Sequence, residues 1–282
     1  MPLAQIRGIQ VNYDVLGNAG PWVALAPGGR VGMPGIREMA ESLAGKGYRV
    51  LIFDRRNCGA SDVGISGGAS EFEEWADDLY ELTKQLGAQP CVAGGGSSGC
   101  RTSVTFAIRH PEAVSGLLLW KISGGAYATL NLGVRYYTEY IKAAGLGGME
   151  AVCETEFFSE RVRENPRNRD ILMAMDPEDF IEVMVRWMVS FISDANRPMI
   201  GASEEDLGNI RVPALLFCGN DRHHRREASF DTQKLIPGSE LVDLGMPVLD
   251  VDATPPEEWA KYTPQMVEKF DDFIRRRITV AV

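Results

Sequence analysis

Along the chain, short apolar runs rich in β-branched residues alternate with longer amphipathic segments. WVALA (22–26), RVLIF (49–53), CVAG (91–94), GLLLW (116–120) and ALLFC (214–218) are almost continuously apolar, the pattern of strands buried on both faces. Between them lie two segments with helical spacing, GIREMAESLAGKG, ending on Gly47, and SEFEEWADDLYELTKQLG, ending on Gly87. The second opens on Ser70 with Glu73 three positions on, a capping box that predicts a helix start. Alternation of this kind predicts the α/β class, a doubly wound and mostly parallel sheet with helices on both faces. The N-terminal IRGIQVNYDVLG reads as two antiparallel edge strands leading in.

The pattern breaks at about Ser123. From there to Asn209 no strand-like run occurs, only helical stretches such as VRYYTEYIKAAG and PEDFIEVMVRWMVSFISD. The latter places Phe180, Val183, Met184, Trp187, Met188 and Phe191 on one apolar face. That stripe is read first as packing onto the core. A second reading makes Met184, Trp187 and Met188, with Trp120 at the end of GLLLW, the lining of a substrate pocket. Strand–helix alternation resumes at Val212 and ends with TPQMVEKFDDFIRRR. The expected organisation is therefore a core of residues 1–122 and 210–282, interrupted by a helical cap at 123–209.

Composition narrows the function classes. Hydrophobic residues make up 45% of the 282 and charged residues 24%, as in an ordinary soluble globular protein. The net charge of −10, with both signs mixed along the chain, disfavours nucleic acid and anionic membrane as partners. No terminal segment carries a signal-peptide pattern and no apolar run approaches membrane-spanning length, so a cytoplasmic location is expected. Five cysteines (Cys58, Cys91, Cys100, Cys153, Cys218), odd in number and without CxxC spacing, read as reduced thiols rather than a disulfide frame or zinc site. The expected partner is a small molecule. A homodimer through the cap or an edge strand stays open.

Candidate chemistry centres on CVAGGGSSGC (91–100). Gly95-Gly96-Ser97-Ser98-Gly99 matches G-x-S-x-G directly after a predicted strand and before a predicted helix. Such a turn forces its serine into strained backbone geometry, demands small neighbours and leaves Oγ exposed above the sheet. The bland alternatives are an inert glycine-rich turn or a phosphate loop, and the latter lacks its G-x-x-x-x-G-K-[ST] lysine. After the first core strand comes Pro27-Gly28-Gly29-Arg30, a backbone-exposing turn. Two N–H donors are needed for an oxyanion, here Ser98 N–H and that of Gly29 or Arg30.

With these motifs the chain resembles the α/β-hydrolase superfamily over nearly its whole length. DRRNCGASD (54–62), RHPEAVSGLLLW (109–120) and VPALLFCGNDRHH resemble family segments around the elbow and the late strand whose exit loop carries the triad acid. The resemblance implies Ser97 as nucleophile, Asp221 as acid, and Ser98 with Gly29 as oxyanion donors. It also implies a histidine in the loop after the last strand. Here that region, LGMPVLDVDATPPEEW (244–259), has none, and the carboxylates of Asp250 and Asp252 are much weaker bases. His110 ends the helix after the elbow, where the family often places a structural corner.

The remaining histidines are His223 and His224, in RHHRR just after Asp221. Consecutive loop residues point in different directions, so at most one of the two is expected to face Ser97, and His224 is preferred because the loop should be turning back over the pocket three residues past the acid. Arg222, Arg225 and Arg226 would either screen a solvated loop, depress a histidine pKa or hold a carboxylate substrate. The expected function is a serine hydrolase of a small, largely apolar ester, lactone or amide, with no metal or organic cofactor implied. A ligand-binding protein without turnover, motivated by the missing histidine, is the alternative. Carbon–carbon hydrolysis or lyase chemistry on the same scaffold is another.

Overall fold

The structure is a computed structural model describing residues 1–278. Eight strands form one sheet in the order β1-β2-β4-β3-β5-β6-β7-β8: Leu3–Ile6, Ile9–Leu16, Trp22–Ala26, Arg49–Phe53, Cys91–Gly96, Val114–Trp120, Ala214–Phe217 and Glu240–Val242, numbered in chain order. β1 and β2 pair antiparallel, and β2 pairs antiparallel with β4. Every pairing from β4 to β8 is parallel. The fold is thus an α/β-hydrolase-type sheet, mostly parallel and flanked by helices. β8 is short and only half-buried, and its ELV gives no apolar run from which the sequence could predict it.

Successive strand residues feed two separate apolar cores, which is why the runs are apolar throughout rather than alternating. Ala24, Ala26, Leu51, Phe53, Ala93, Leu117 and Leu119 face α2 (Glu71–Gln85) and α3 (Ser98–Arg109). Val23, Leu25, Val50, Ile52, Leu118 and Phe217 face α1 (Arg37–Gly45) and the last helix, α12 (Thr263–Arg277). The Ser70 hydroxyl accepts from the Glu73 amide and fixes the start of α2.

Between β6 and β7 the chain forms helices α4 to α9: Ala126–Gly133, Glu139–Glu154, Glu156–Glu164, Arg167–Met173, Pro177–Ser193 and Glu204–Gly208. An isolated bridge joins Met199 and Ala202. These helices share a third core, built from Tyr137, Phe158, Phe180, Met184, Trp187 and Phe191, that reaches Cys58, Phe72 and Trp75 of the sheet layer. After β7 come α10 (Arg226–Leu235) and, before α12, the single turn α11 (Pro256–Ala260). Among the described residues no helix is long and apolar enough to cross a membrane.

Candidate active site

β5 delivers Ser97 to the carboxyl edge of the sheet, and α3 begins at the next residue. Ser97 has φ +55°, a conformation that costs a non-glycine residue energy and persists only when its surroundings enforce it. Here its amide donates to the carbonyls of Trp120 and Lys121, both at 3.1 Å, and its carbonyl accepts from the Arg101 amide. The flanking glycines are required by space. A Cβ on Gly95 would strike the Gly99 backbone, one on Gly96 the Trp120 indole, and one on Gly99 the Ala26 carbonyl.

The loop after β7 brings Asp221 and His224 to the serine together. Asp221 Oδ1 accepts from the His224 backbone amide at 2.9 Å and from His224 Nδ1 at 2.8 Å, and Oδ2 accepts from the Thr254 amide at 2.8 Å. Because a carboxylate only accepts, His224 carries its proton on Nδ1, and its Nε2 lone pair faces Ser97 Oγ at 2.9 Å. Burial would raise the Asp221 pKa, but the His224 contacts and the Thr254 amide outweigh it and hold the carboxyl down at about 2. Burial pushes His224 below 6.5; Asp221 opposes this, and Lys121 and Arg101 add to it. The imidazole is therefore neutral at pH 7. Ser97 is 9% exposed and His224 5%.

The other histidines stand apart from this chain of bonds. His223, the second candidate from the sequence, turns the other way: its Nε2 lies 2.8 Å from Asn131 Oδ1 and its ring packs by Tyr127. It is not the partner of Ser97. His110 bonds to Asp77 at 2.8 Å and stacks on Tyr80, pinning α3 to α2. The segment 249–254, part of the region where the resemblance implies a histidine, instead braces the acid loop. Leu249 N–H donates to the Asn220 carbonyl, while Arg222 and His223 donate to the carbonyls of Val251 and Asp252. Arg222 pairs with Asp250 and Arg226 with Asp243 at the surface, so the arginine that lowers His224 is Arg101 rather than the RHHRR cluster.

The turn after β3 packs onto the serine: a Cβ on Gly28 would lie 3.7 Å from Ser97 Cβ. Gly29 takes φ +51°, which glycine adopts without strain. Ser98 opens α3, so its amide is one of the first-turn donors without an intrahelical acceptor. The Arg30 side chain leaves the site, pairing with Glu71 at 2.6 Å among the Tyr136, Tyr137 and Phe157 rings.

The residues expected as apolar lining are packed into the cores. Trp187 is fully buried in the helical layer and donates to the Gly68 carbonyl at 3.0 Å, with Met184 buried beside it. Met188 packs at the edge of the same core, where its sulfur lies 4.0 Å from Thr138 Oγ1. Trp120 packs on Phe270 of α12, in the opposite core. The stripe on α8 is a packing face.

The chain's similarities fit this geometry. The family model of the alpha/beta hydrolase fold matches residues 21–128, the stretch that holds β3 to β6 and Ser97. Over that stretch the chain is similar to the α/β hydrolases. A 2-hydroxy-6-oxononadienedioate/2-hydroxy-6-oxononatrienedioate hydrolase of Klebsiella pneumoniae is 25% identical over 83% of either chain. An enol-lactonase of Burkholderia xenovorans superposes with a TM-score of 0.63 at 21% identity, covering 97% of this chain and 100% of the other. An esterase of Thermogutta terrifontis gives 0.66 at 23%, covering 99% and 100%. At those identities the two structures carry the fold. With these relatives, this protein of the α/β-hydrolase fold is a hydrolytic enzyme.

Proposed function

We propose that the chain is a serine hydrolase that cleaves a small ester, lactone or amide through an acyl-enzyme. The observation that carries this is the unbroken line Ser97 Oγ, His224, Asp221, with contacts of 2.9 and 2.8 Å. A protein that only binds a ligand has no use for a neutral imidazole held between a strained serine and a depressed carboxylate.

In this reading His224 Nε2 takes the proton as Ser97 Oγ attacks the acyl carbon. Asp221 holds Nδ1–H and stabilises the imidazolium that forms, while remaining ionised. The amides of Ser98 and Gly29 receive the developing oxyanion. His224 then protonates the leaving group, and a water activated by the same nitrogen releases the acyl chain. Helices α4 to α9 act as the cap, excluding water from the acyl-enzyme.

A second reading has its own support. The Klebsiella relative's name describes a substrate with ketone, hydroxyl and two carboxylates but no ester, so water there must split a carbon–carbon bond. The same three residues would serve that reaction. Fluorophosphonate labelling followed by intact-mass measurement tests the common core. One adduct on the wild type, absent in Ser97→Ala and strongly slowed in His224→Ala, is expected. A folded wild type that takes no label would sink the serine mechanism.

A further inference from the structure

Among the described residues five arginines are buried: Arg30, Arg55, Arg56, Arg101 and Arg161. Three of them have carboxylate partners. Arg30 pairs with Glu71, Arg56 with Glu74 and Asp78, and Arg161 with Glu160 and Glu164. Arg55 and Arg101 are each 1% exposed, and among the described residues neither forms an ion pair. The carboxylates near them are already engaged: Glu71 by Arg30 and Asn57, and Asp194 by Arg197 and the Gly201 amide. An unpaired guanidinium out of water is among the most costly groups a fold can bury.

Both side chains bond to residues around Ser97. Arg55 donates from one terminal nitrogen to the Gly28 and Gly29 carbonyls, at 3.3 and 2.7 Å, in the turn that packs on Ser97. Its guanidinium lies 4.2 Å over the Trp75 ring. Arg101 donates from one terminal nitrogen to Ser98 Oγ at 2.8 Å, and its guanidinium lies 4.9 Å from the centre of the Phe191 ring. In each, Nε and the other terminal nitrogen are buried without a hydrogen-bond partner. One N–H edge of each planar fork thus anchors the Ser97 surroundings while the other stays free. The two charges are close enough that Arg101 disfavours the charged form of Arg55. Arginine forks with free edges match the two oxygens of a carboxylate, which each fork can hold in a bidentate or bridging way.

We infer that Arg55 and Arg101 form an anion-binding fork beside Ser97, and that this enzyme takes a ligand with an apolar body and a carboxylate. That the ligand is the substrate rests on the hydrolase reading above. Bound there, the carboxylate supplies the counter-charge the interface lacks and fixes the acyl group at a set distance from Ser97 Oγ.

Calorimetric titration of full-length Ser97→Ala with succinate, glutarate and adipate, and with glutaramide as the neutral control, tests the fork without turnover. At least one dicarboxylate should bind and the diamide should not. Added Arg55→Gln or Arg101→Gln should weaken that binding about 10- to 100-fold, the scale of a lost charged hydrogen bond, with partial recovery in the lysine variants. Equal binding of diamide and dicarboxylates, or binding of none, would overturn the fork. Should the glutamine variants fail to fold, protection of wild-type Ser97 from the fluorophosphonate by a dicarboxylate but not by glutaramide supports the fork, and equal protection by both overturns it. A wild type that takes no label removes the serine reading alone, and the calorimetry still decides the fork.

Discussion

Asp221 and His224, three residues apart on one loop, hold each other twice: a single carboxylate oxygen accepts both the backbone amide and Nδ1 of His224. The loop therefore fixes the ring before it meets Ser97, which comes from 127 residues away in the chain. Asp221 and His224 share one turn, and the following loop adds the Thr254 amide to the Asp221 carboxylate. Asp221→Asn should keep the fold yet present the wrong tautomer, because an amide NH2 facing Nδ1 moves the proton to Nε2. A fall in kcat of about 10⁴-fold is expected, read with a chromogenic ester. His224→Ala should fall at least as far, while His223→Ala stays within about threefold. Comparable losses in the two histidine variants would mean the relay is wrongly assigned.

The pH profile follows from the same contacts. His224 must be neutral to accept a proton, and burial, its largest influence, places its pKa below 6.5. The acid limb of kcat/KM should thus rise with pH to a midpoint below 6.5 and reach its plateau before neutrality. Arg101→Gln removes a cation that lowers this pKa, so its limb should shift to higher pH. A midpoint above 6.5 in the wild type would contradict the burial argument.

Asp221 gives a stability prediction with a definite sign. Its folded pKa of about 2 lies below the ordinary aspartate value of 3.8, so the folded state favours the carboxylate. The stabilisation is complete above about pH 5 and is lost as pH falls through the range between those two values. The difference amounts to about 2 kcal/mol. Urea titrations from pH 6 down to pH 2 should show the Asp221→Ala variant losing less stability over that interval than the wild type does.

The central strands were legible because they are buried on both faces, so 22–26, 50–53 and 214–217 had to be apolar whichever core they met. Ser97 was legible because its turn excludes side chains on three neighbours. The histidine was legible only as a pair, since chain position cannot say which of two adjacent residues turns inward; Asn131, 92 residues away, decides it for His223. Arg55 and Arg101 gave no signal at all. Arginine in DRR or at the start of a helix is ordinarily solvated, and their burial depends on Trp75 and on Phe191, which reach them from two different layers. On α8, periodicity showed that Met184 and Trp187 are buried and could not show against what.

The tight turn around Ser97 predicts an asymmetric response to alanine. A Cβ on Gly99 would meet the Ala26 and Pro27 carbonyls, both backbone and unable to step aside. Gly99→Ala should therefore destabilise by roughly 1–3 kcal/mol or more, lowering Tm by several degrees and moving Ser97 off the His224 axis. Gly35 faces open space, and Gly35→Ala should change stability by no more than about 0.5 kcal/mol. Equal melting of the two by calorimetry would show that the turn has slack the geometry denies.

Trp187 separates packing from substrate contact. It is 0% exposed, shares a core with Phe180 and Phe191, and spends its indole N–H on the Gly68 carbonyl. Trp187→Ala removes that volume and leaves Gly68 without its donor, so a loss of about 3–5 kcal/mol is expected. Trp187→Phe keeps most of the packing and loses the hydrogen bond, for about 1–2 kcal/mol. If the residue only packs, KM measured well below Tm changes little in the Phe variant. A KM rising tenfold with Tm unchanged would return Trp187 to the pocket wall.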